Sequence, residues 1–374
     1  MTTSGDHRRG GEVPWSAEEL SEEIFRGLLS TLEIFNMYVG VRAGLYEALA
    51  AHDTLTPDEL AEAASIHPRY AREWLEQQAV AGVLEAPDHA QEGQGSDSYH
   101  RRFRLPAEHR RVLTSPDDPL YLAAGPLFML GVAEAVPHLL AAFRTGEGVP
   151  YARYGRDTRE GIAGLNRPMF RNDLVRSWLR AMPDVLERLA VPGARIVDLG
   201  CGVGWSTLAM AEAFPAARIT GVDLDPASIE QALGNAAEAG LAEQVEFSCG
   251  DAALLESSGA VELVTVFEAL HDMADPVAAL KTARGLLGPS GAVLIGDEKV
   301  EDRFAAPGPE LERFNYAFSV LHCLPATRAE NARVEAGTVL RADTVAAYAR
   351  EAGYADCEVL DVDHDLWRFY RLGG

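Results

Sequence analysis

The chain has 374 residues, of which 47% are apolar, so we expect two domains of ordinary size, each with its own core. Its 57 acidic side chains outnumber 33 Lys and Arg, and the formal net charge of −24 argues against broad binding to nucleic acid or to anionic membranes. Four scattered cysteines without a CxxC pair, and no uninterrupted apolar run near the ~20 residues of a membrane helix, predict a cytoplasmic protein.

A polar tail, residues 1–20, precedes a long apolar helix. Residues 21–51 place apolar side chains on nearly every helical face, for example Ile24, Leu28 and Leu32. A helix that is apolar all round is buried on several sides. This one is predicted either to pack between two subunits or to be a core helix of its own subunit.

Two shorter helices follow. Thr56 and Glu59 form a T-x-x-E capping box, and the stretch from Ser65 to Pro68 is expected to start a second helix in the same manner. With "GVLEA" after them, these helices resemble a winged helix-turn-helix, whose wing extends to "YHRRFRLPAEHRR".

The charges of this region decide between DNA binding and dimerisation. The second helix has as many acidic as basic side chains, whereas DNA-reading helices are usually basic. Only the wing favours DNA, with five arginines: Arg101, Arg102, Arg104, Arg110 and Arg111. We therefore predict that residues 21–160 form a mainly helical winged-helix and dimerisation domain that does not bind nucleic acid.

From Ala194 onward, short β-branched segments alternate with helix-length segments. "RIVDLG", "RITGVDLD", "QVEFSCGD", "VELVTVFEA" and "AVLIGDEK" are the strand candidates, and two more lie near the C-terminus. This alternation predicts an α/β fold, a doubly wound parallel sheet with helices on both faces. Residues 161–374 are predicted to form this domain, with a lid-like insertion at 302–340 beyond a strand end, where ligands bind in such sheets.

A glycine-rich turn opens the sheet at "VDLGCGVGWS", with Gly200, Gly202 and Gly204 after a strand and before a helix. A dinucleotide fingerprint needs glycine at position 205, which is Trp205, so the turn does not fit NAD. Two acids end the next strands. Asp223 suits a ribose diol, because a carboxylate accepts two hydroxyl hydrogen bonds, and Asp251 suits an adenine amino group.

Together these motifs resemble those of class I S-adenosylmethionine-dependent methyltransferases. The resemblance covers about residues 192–371 and implies a seven-stranded Rossmann-like sheet with S-adenosylmethionine as cofactor. It implies that the three glycines shape the methionine pocket, that Asp198 suits the cationic part of the cofactor, and that Asp223 and Asp251 bind ribose and adenine. The remaining cofactor residues expected at these strand ends are Leu224, Ala252 and Phe267.

Beside the fourth strand, "VFEALHDMADP" is similar to the HDW-D stretch of small-molecule O-methyltransferases. That resemblance implies His271 as general base, with Asp272 beside it; imidazole can take a hydroxyl proton near neutrality. The bacterial subfamily with an N-terminal winged helix is the nearest resemblance, and its relatives in antibiotic pathways dimerise through that domain. The implied function is O-methylation of a small secondary metabolite by a homodimer.

The acceptor pocket is predicted to draw on Phe170, Trp178, Tyr316 and His322, although the aromatic residues could equally be core. Some relatives C-methylate α-keto acids with a metal held by two histidines, so His271 and His322 form an alternative metal pair. An ordinary polar lid residue is the other interpretation of His322. The third hypothesis is a transcription regulator that senses S-adenosylmethionine.

Overall fold

The computed structural model of the chain describes residues 15–87, 100–256, 260–330 and 332–373. These residues divide into two compact units, one of residues 15–131 with 156–168 and one of residues 132–155 with 169–373. The units alternate along the chain, so the expected single boundary after residue 160 does not describe the division. Of the predicted tail, residues 1–14 lie outside the described part, and a helix already begins at Ala17.

The N-terminal unit is mainly helical. Its helices, the last two of which extend beyond the unit, are α1 (Ala17–Arg42), α2 (Leu45–Ala50), α3 (Pro57–Ala64), α4 (Pro68–Val80), α5 (Ala107–Leu113), α6 (Gly125–Thr145) and α7 (Gly155–Asn172). Bridges from Leu55 to Phe103 and from Glu85 to Arg104 form the base of the wing, whose residues 88–99 are outside the described part.

Local sequence explains these helix boundaries. The Thr56–Glu59 capping box at the start of α3 is confirmed. Gly44, with φ of 65°, ends the first predicted helix and begins α2 as a separate one. The predicted start of α4 is shifted: Ser65 ends α3 in a left-handed conformation, and the His67 side chain caps α4 instead.

The apolar side chains of α1 are largely exposed. Ile24, Leu28 and Leu32 are 57%, 59% and 61% exposed, and within α1 only Gly40 is buried. The interpretation of α1 as a core helix of its own subunit is therefore wrong for these residues. The unit's core instead gathers around Tyr46 and Trp74.

Acidic partners neutralise most of the wing arginines. Arg101 contacts Glu76 at 2.7 Å, and Arg102 contacts Glu59 at 2.9 Å. Arg104 pairs with Glu85, and Arg111 pairs with both Asp118 and Glu108.

The C-terminal unit is a seven-stranded sheet in the order β3-β2-β1-β4-β5-β7-β6. Its strands are β1 (Arg195–Leu199), β2 (Arg218–Asp223), β3 (Val245–Cys249), β4 (Val261–Phe267), β5 (Leu287–Glu298), β6 (Cys357–Val359) and β7 (Trp367–Gly373). β1 to β5 pair in parallel, whereas β7 is antiparallel to both neighbours. The carboxyl ends of the parallel strands thus meet along one edge.

Seven helices belong to this unit alone: α8 (Pro183–Leu189), α9 (Trp205–Ala213), α10 (Pro226–Glu238), α11 (Pro276–Leu286), α12 (Glu310–Phe318), α13 (Leu324–Ala329) and α14 (Ala342–Glu351). Two apolar clusters, centred on Ile196 and Val264, form the core of the unit. The predicted α/β fold is confirmed. In the described part of the chain α6 is the one helix long and apolar enough to cross a membrane, a test that core helices of soluble proteins also pass.

Candidate functional site

The glycine turn follows β1 at the carboxyl edge of the sheet. Gly200, Gly202 and Gly204 all have positive φ, of 73°, 52° and 88°, which side chains disfavour. A Cβ at Gly200 would lie 2.5 Å from the Cβ of Ala269, whereas a Cβ at Gly202 would meet nothing within 4 Å. Ala269 therefore packs against the turn at Gly200, whereas the space beside the Gly202 backbone is unoccupied by other residues of the described part.

Asp223, the last residue of β2, braces this turn. Its Oδ2 accepts the Gly202 N–H at 2.8 Å, and its Oδ1 accepts the Asp225 N–H at 2.9 Å. Burial raises the pKa of this carboxyl, while the two N–H groups lower it. Each oxygen keeps a second lone pair, so the side chain can also accept two hydroxyl groups.

The ends of the neighbouring strands provide an exposed rim. Asp251 is exposed, and its Oδ1 accepts the Ala253 N–H at 2.8 Å. Leu224 is 51% exposed, and Ala252 is half-buried. Leu224 follows β2, and Asp251 and Ala252 follow the neighbouring β3, so all three lie at the same edge of the sheet as Asp223. Their contacts with the cofactor stay predictions.

Asp198 has a different environment from the one expected. It is 1% exposed, and its carboxylate accepts hydrogen bonds from Ser206, Thr207 and Thr265 hydroxyls at 2.6–2.7 Å. Burial raises the pKa of Asp198, and the hydroxyl groups lower it. The side chain thus fastens the start of α9 to β1 and β4, and this geometry does not support direct contact with a ligand.

Three predicted ligand contacts belong to the core. Phe170, Trp178 and Phe267 are at most 8% exposed, and their ring centroids lie 5.5–5.9 Å apart. Trp367 and Phe369 of β7 also pack against Trp178 in this aromatic cluster. The interpretation of Phe170 and Trp178 as core residues therefore fits their burial, and their assignment to the acceptor pocket, like that of Phe267 to the cofactor, stays a prediction.

Trp178→Ala is expected to cost about 3–5 kcal/mol of unfolding free energy, because a fully buried indole leaves a cavity. Urea unfolding measures the loss. Phe304→Ala is the matched control, since that ring is 71% exposed and should change stability by ~0.5 kcal/mol or less. Equal stability of the two variants would contradict the core assignment.

His271 lies in a short 3₁₀ turn, Leu270–Asp272, just beyond β4. It is 2% exposed, and its Nδ1 lies 2.6 Å from Oδ1 of Asp297 in β5, where Nδ1–H donates to the carboxylate. Nε2 lies 3.5 Å from Oδ1 of Asp272. Burial lowers the pKa of His271, but the charges of Asp297 and Asp272 and the hydrogen bond to Asp297 outweigh it and hold the pKa well above its usual range.

The insertion brings His322 and Cys323 to this cluster. Cys323 Sγ lies 3.5 Å from His322 Nδ1, and the His322 ring packs edge-on against Tyr154 at 4.6 Å. Burial lowers the pKa of His322, and burial with the charge of Asp272 raises the pKa of Cys323 to about 12.

Donor atoms that could hold a metal are those of His271, Asp272 and Cys323, which lie within 4.8 Å of one another in the described part of the chain. His322 is not in this set, so the predicted His271–His322 metal pair stays a prediction.

Tyr316 lies elsewhere in the insertion. Its hydroxyl accepts from Arg341 at 3.3 Å, and Arg341 also pairs with Glu312 at 2.8 Å. Its ring meets Phe304 with 6.3 Å between centroids. These contacts tie Tyr316 into a polar cluster of the insertion rather than to His271.

Sequence reasoning missed several acids at this edge. Asp297 and Glu298 end β5, and Glu268 follows β4. The sequence did offer a signal for these three acids, because each lies at the end of a predicted strand, where ligands bind. The fourth missed acid is Glu330, in the insertion. Burial raises the pKa of its carboxyl to about 7, and so do the charges of Asp272, Asp251 and Asp223. Carboxylates from several elements therefore lie close together at this edge.

Comparison with known proteins matches two parts of the chain to described domain families. Residues 190–335 match the family described as Methyltransferase domain, which spans the glycine turn, Asp223, Asp251 and His271. This chain carries a methyltransferase domain. Residues 33–115 match the Rv2258c-like winged HTH domain, so the predicted combination of a methyltransferase domain with an N-terminal winged helix is confirmed.

Curated relatives match this chain over part of their length. The ubiquinone biosynthesis O-methyltransferase of Xanthomonas campestris pv. campestris (strain B100) is 32% identical over 111 residues, 30% of this chain and 46% of that protein. The protein of the same name from Stutzerimonas stutzeri (strain A1501) is 25% identical over 50% of this chain and 75% of that protein. The chain thus spans less than half the length of the first of these relatives.

Solved structures resemble nearly the whole chain. The mitomycin 7-O-methyltransferase MmcR has a TM-score of 0.64 and 21% identity, over 96% of this chain and 99% of that one. Human N-acetylserotonin methyltransferase, solved with S-adenosylmethionine, has a TM-score of 0.67 and 16% identity, over 97% and 99%. At these sequence identities, the similarity to solved structures establishes only the fold of the two domains.

Proposed function

We propose that the chain transfers the methyl group of S-adenosylmethionine to a hydroxyl group of a small molecule, with His271 as general base. One observation carries this proposal: a glycine turn braced by Asp223 and a buried His271–Asp297 pair lie at the carboxyl ends of strands in one sheet. Ligands of doubly wound sheets bind along that edge.

The residues at the edge fit the proposed cofactor. Open backbone at Gly202 offers close approach, and Asp223 keeps lone pairs for a ribose diol. Asp251 and Leu224 provide an exposed acceptor and an exposed apolar surface for a base. We assign Asp198 a structural role: it holds the glycine turn in place, because its carboxylate accepts hydrogen bonds from Ser206 and Thr265.

Methyl transfer does not require the protein to form a covalent bond to either reactant. When bound, S-adenosylmethionine supplies a methyl group already activated on a sulfonium. His271 Nε2 takes the acceptor's hydroxyl proton while the O–C bond forms and the S–C bond breaks, which yields the methyl ether and S-adenosylhomocysteine. Asp297 holds the imidazole with Nδ1 protonated, so that Nε2 is the nitrogen that accepts. Asp272 raises the basicity of that nitrogen.

We assign the acceptor's side of the site to the insertion. Cys323 of the insertion lies beside His271 and Asp272, the His322 ring lies next to Cys323, and Tyr154 packs on His322. The names of the similar proteins, which include methyltransferases of ubiquinone biosynthesis and of mitomycin, support a small acceptor from secondary or cofactor metabolism.

Two measurements test the proposed function. Calorimetry should detect binding of S-adenosylhomocysteine, and label from methyl-labelled S-adenosylmethionine should appear in a hydroxylated acceptor of a phenol library. Binding without transfer to any hydroxyl acceptor, but with transfer to carbon or nitrogen, would overturn the O-methylation step. Absence of binding would overturn the cofactor assignment.

We also propose that the protein is a cytoplasmic homodimer joined through α1. Ile24, Leu28 and Leu32 follow one another at intervals of four residues and so share a helix face. Eight large apolar side chains of α1 are exposed in the single chain, whereas monomers rarely expose patches above a few hundred Å². A second copy of the same helix is the occupant that matches both length and apolar character.

Leu28→Asp is expected to convert this dimer to monomers, because a charge at the centre of an apolar contact loses its hydration without gaining a partner. Light scattering after gel filtration should report half the wild-type mass. Val80→Asp is the matched control, since Val80 is 90% exposed at the end of α4. A monomeric wild-type protein would refute the proposal.

A regulator that binds DNA is the less favoured alternative. Four of the five wing arginines already pair with carboxylates, so they have little charge to offer to phosphates. We therefore propose that the winged helix serves assembly and that the protein binds neither nucleic acid nor membranes.

A further inference from the structure

The segment between α6 and α7, residues 146–154, lies against the insertion within the C-terminal unit, and we call it the connector. The N–H of the buried Val149 donates to the Pro325 carbonyl of α13 at 2.9 Å. Gly148 passes so close to α13 that a Cβ at this position would lie 2.1 Å from the backbone nitrogen of Ala329. The connector is therefore packed directly on α13.

The insertion departs from α-helical geometry immediately before α13. Residues Ser319–Cys323 form a turn of π-helix, a conformation that occurs frequently at functional sites. In an α-helix the N–H of residue 325 would donate to the carbonyl of Leu321, but residue 325 is Pro325, which has no N–H. The Leu321 carbonyl therefore lacks its usual α-helical donor.

Tyr154, the last residue of the connector, takes the place of that donor. Its side chain is fully buried, and its hydroxyl donates to the Leu321 carbonyl at 2.9 Å. Its ring also packs edge-on against the His322 ring, with 4.6 Å between the centroids. One side chain of the connector thus holds both the backbone and a side chain of the π-turn.

The π-turn in its turn contacts the residues proposed to carry the reaction. Cys323, its last residue, has its sulfur within 4.8 Å of donor atoms of His271 and Asp272. The hydroxyl of the buried Thr327 donates to the Cys323 carbonyl at 2.8 Å and so ties the π-turn to α13. A shift of the π-turn would therefore move Cys323 relative to His271.

Resting on the proposed function, we propose that Tyr154 is a positioning residue for methyl transfer. It fixes the π-turn of the insertion beside His271, and the π-turn in turn fixes the place of the acceptor's hydroxyl group. A displacement of about 1 Å in a reacting group lowers a rate by about 10²-fold, so a small shift of this turn has a large effect. The glycine turn and Asp223 belong to other elements, so affinity for the cofactor does not depend on Tyr154.

Tyr154→Phe tests this proposal, because it removes the hydroxyl and keeps the ring. The kcat for the best acceptor of a phenol library should fall roughly 10- to 100-fold, whereas the calorimetric affinity for S-adenosylhomocysteine should stay at the wild-type value. Alkylation of Cys323 by iodoacetamide, followed by peptide mass spectrometry, reports the π-turn without any need for activity. It should become roughly fivefold faster, the factor equivalent to the net contribution of one hydrogen bond.

Tyr354→Phe is the matched control. Tyr354 is also a buried tyrosine, and its hydroxyl donates to the Leu280 carbonyl at 3.0 Å. Both variants lose an equivalent hydrogen bond, so their melting temperatures should fall by similar amounts, but Tyr354→Phe should keep the wild-type kcat and alkylation rate.

If Tyr154→Phe matches this control in kcat and in alkylation rate, the inference is overturned and the proposed function stands. If wild-type protein transfers no methyl group to any hydroxyl acceptor, the proposed function fails instead. The alkylation rates then still show whether Tyr154 holds the π-turn in place.

Discussion

Asp223→Asn is expected to weaken binding of S-adenosylhomocysteine roughly 100-fold or more. The carboxylate accepts the Gly202 N–H at 2.8 Å, and a hydrogen bond to a charged group contributes about 1.5–3 kcal/mol. In the proposed complex the same oxygens also accept the ribose hydroxyls. An asparagine keeps only one acceptor oxygen, so its NH2 group faces one of the two backbone N–H donors, and the charge and half of the acceptor capacity for the ribose are lost. A factor of ten corresponds to ~1.4 kcal/mol, and titration calorimetry measures it directly.

Asp225→Asn provides the control for this loss. Asp225 lies two residues further on and caps α10 by accepting the Ser228 N–H at 3.0 Å, which an asparagine also does well. Its affinity should stay near that of wild type. If Asp223→Asn binds as tightly as this control while its melting temperature is unchanged, the ribose assignment is wrong.

The parts of this molecule that follow from local sequence were predicted well. Alternation of β-branched strands with helices specified the sheet, and the spacing of Gly200, Gly202 and Gly204 specified a turn of positive φ. Asp223 was predicted to lie at the edge where ligands bind, and it is the last residue of β2, whose carboxyl end lies there. In each case the information lies within a few residues of the feature.

The parts that depend on distant contacts were not predictable in the same way. Nothing near Phe170 or Phe267 in the chain indicates that their rings meet inside one aromatic cluster. His271 was identified by its motif, but its partner Asp297 is 26 positions away and became evident only when β5 was seen beside β4. A systematic reading of all acids at strand ends would have included Asp297.

Charge convergence is a property of the fold as a whole. The carboxyls of Asp272, Asp251 and Asp223 come from three strand ends, yet the charges of all three raise the pKa of Glu330 in the insertion. No single segment is unusually acidic there, so composition does not reveal the cluster. This negative edge suits a cationic cofactor, which is why the electrostatics support the same assignment as the glycine turn.

His271→Ala is expected to lower kcat about 10²–10⁴-fold, the usual contribution of a general base, with little change in affinity for S-adenosylhomocysteine. Only neutral imidazole accepts a proton, and the charges of Asp297 and Asp272 hold the pKa of His271 well above its usual range. Activity should therefore rise with pH through a value above the ordinary histidine pKa of about 6.5. Steady-state rates across pH, at saturating S-adenosylmethionine, measure this profile.

Asp272→Asn tests the electrostatic part of that argument. It removes one of the negative charges that favour the imidazolium, so the rising limb should move to lower pH while the folded structure is retained. Asp297→Asn should instead reduce the maximal rate, because the amide no longer fixes Nδ1–H of the ring. A pH profile that is identical in wild type and Asp272→Asn, together with full activity of His271→Ala, would remove the histidine from the reaction and leave proton transfer to another group at this edge.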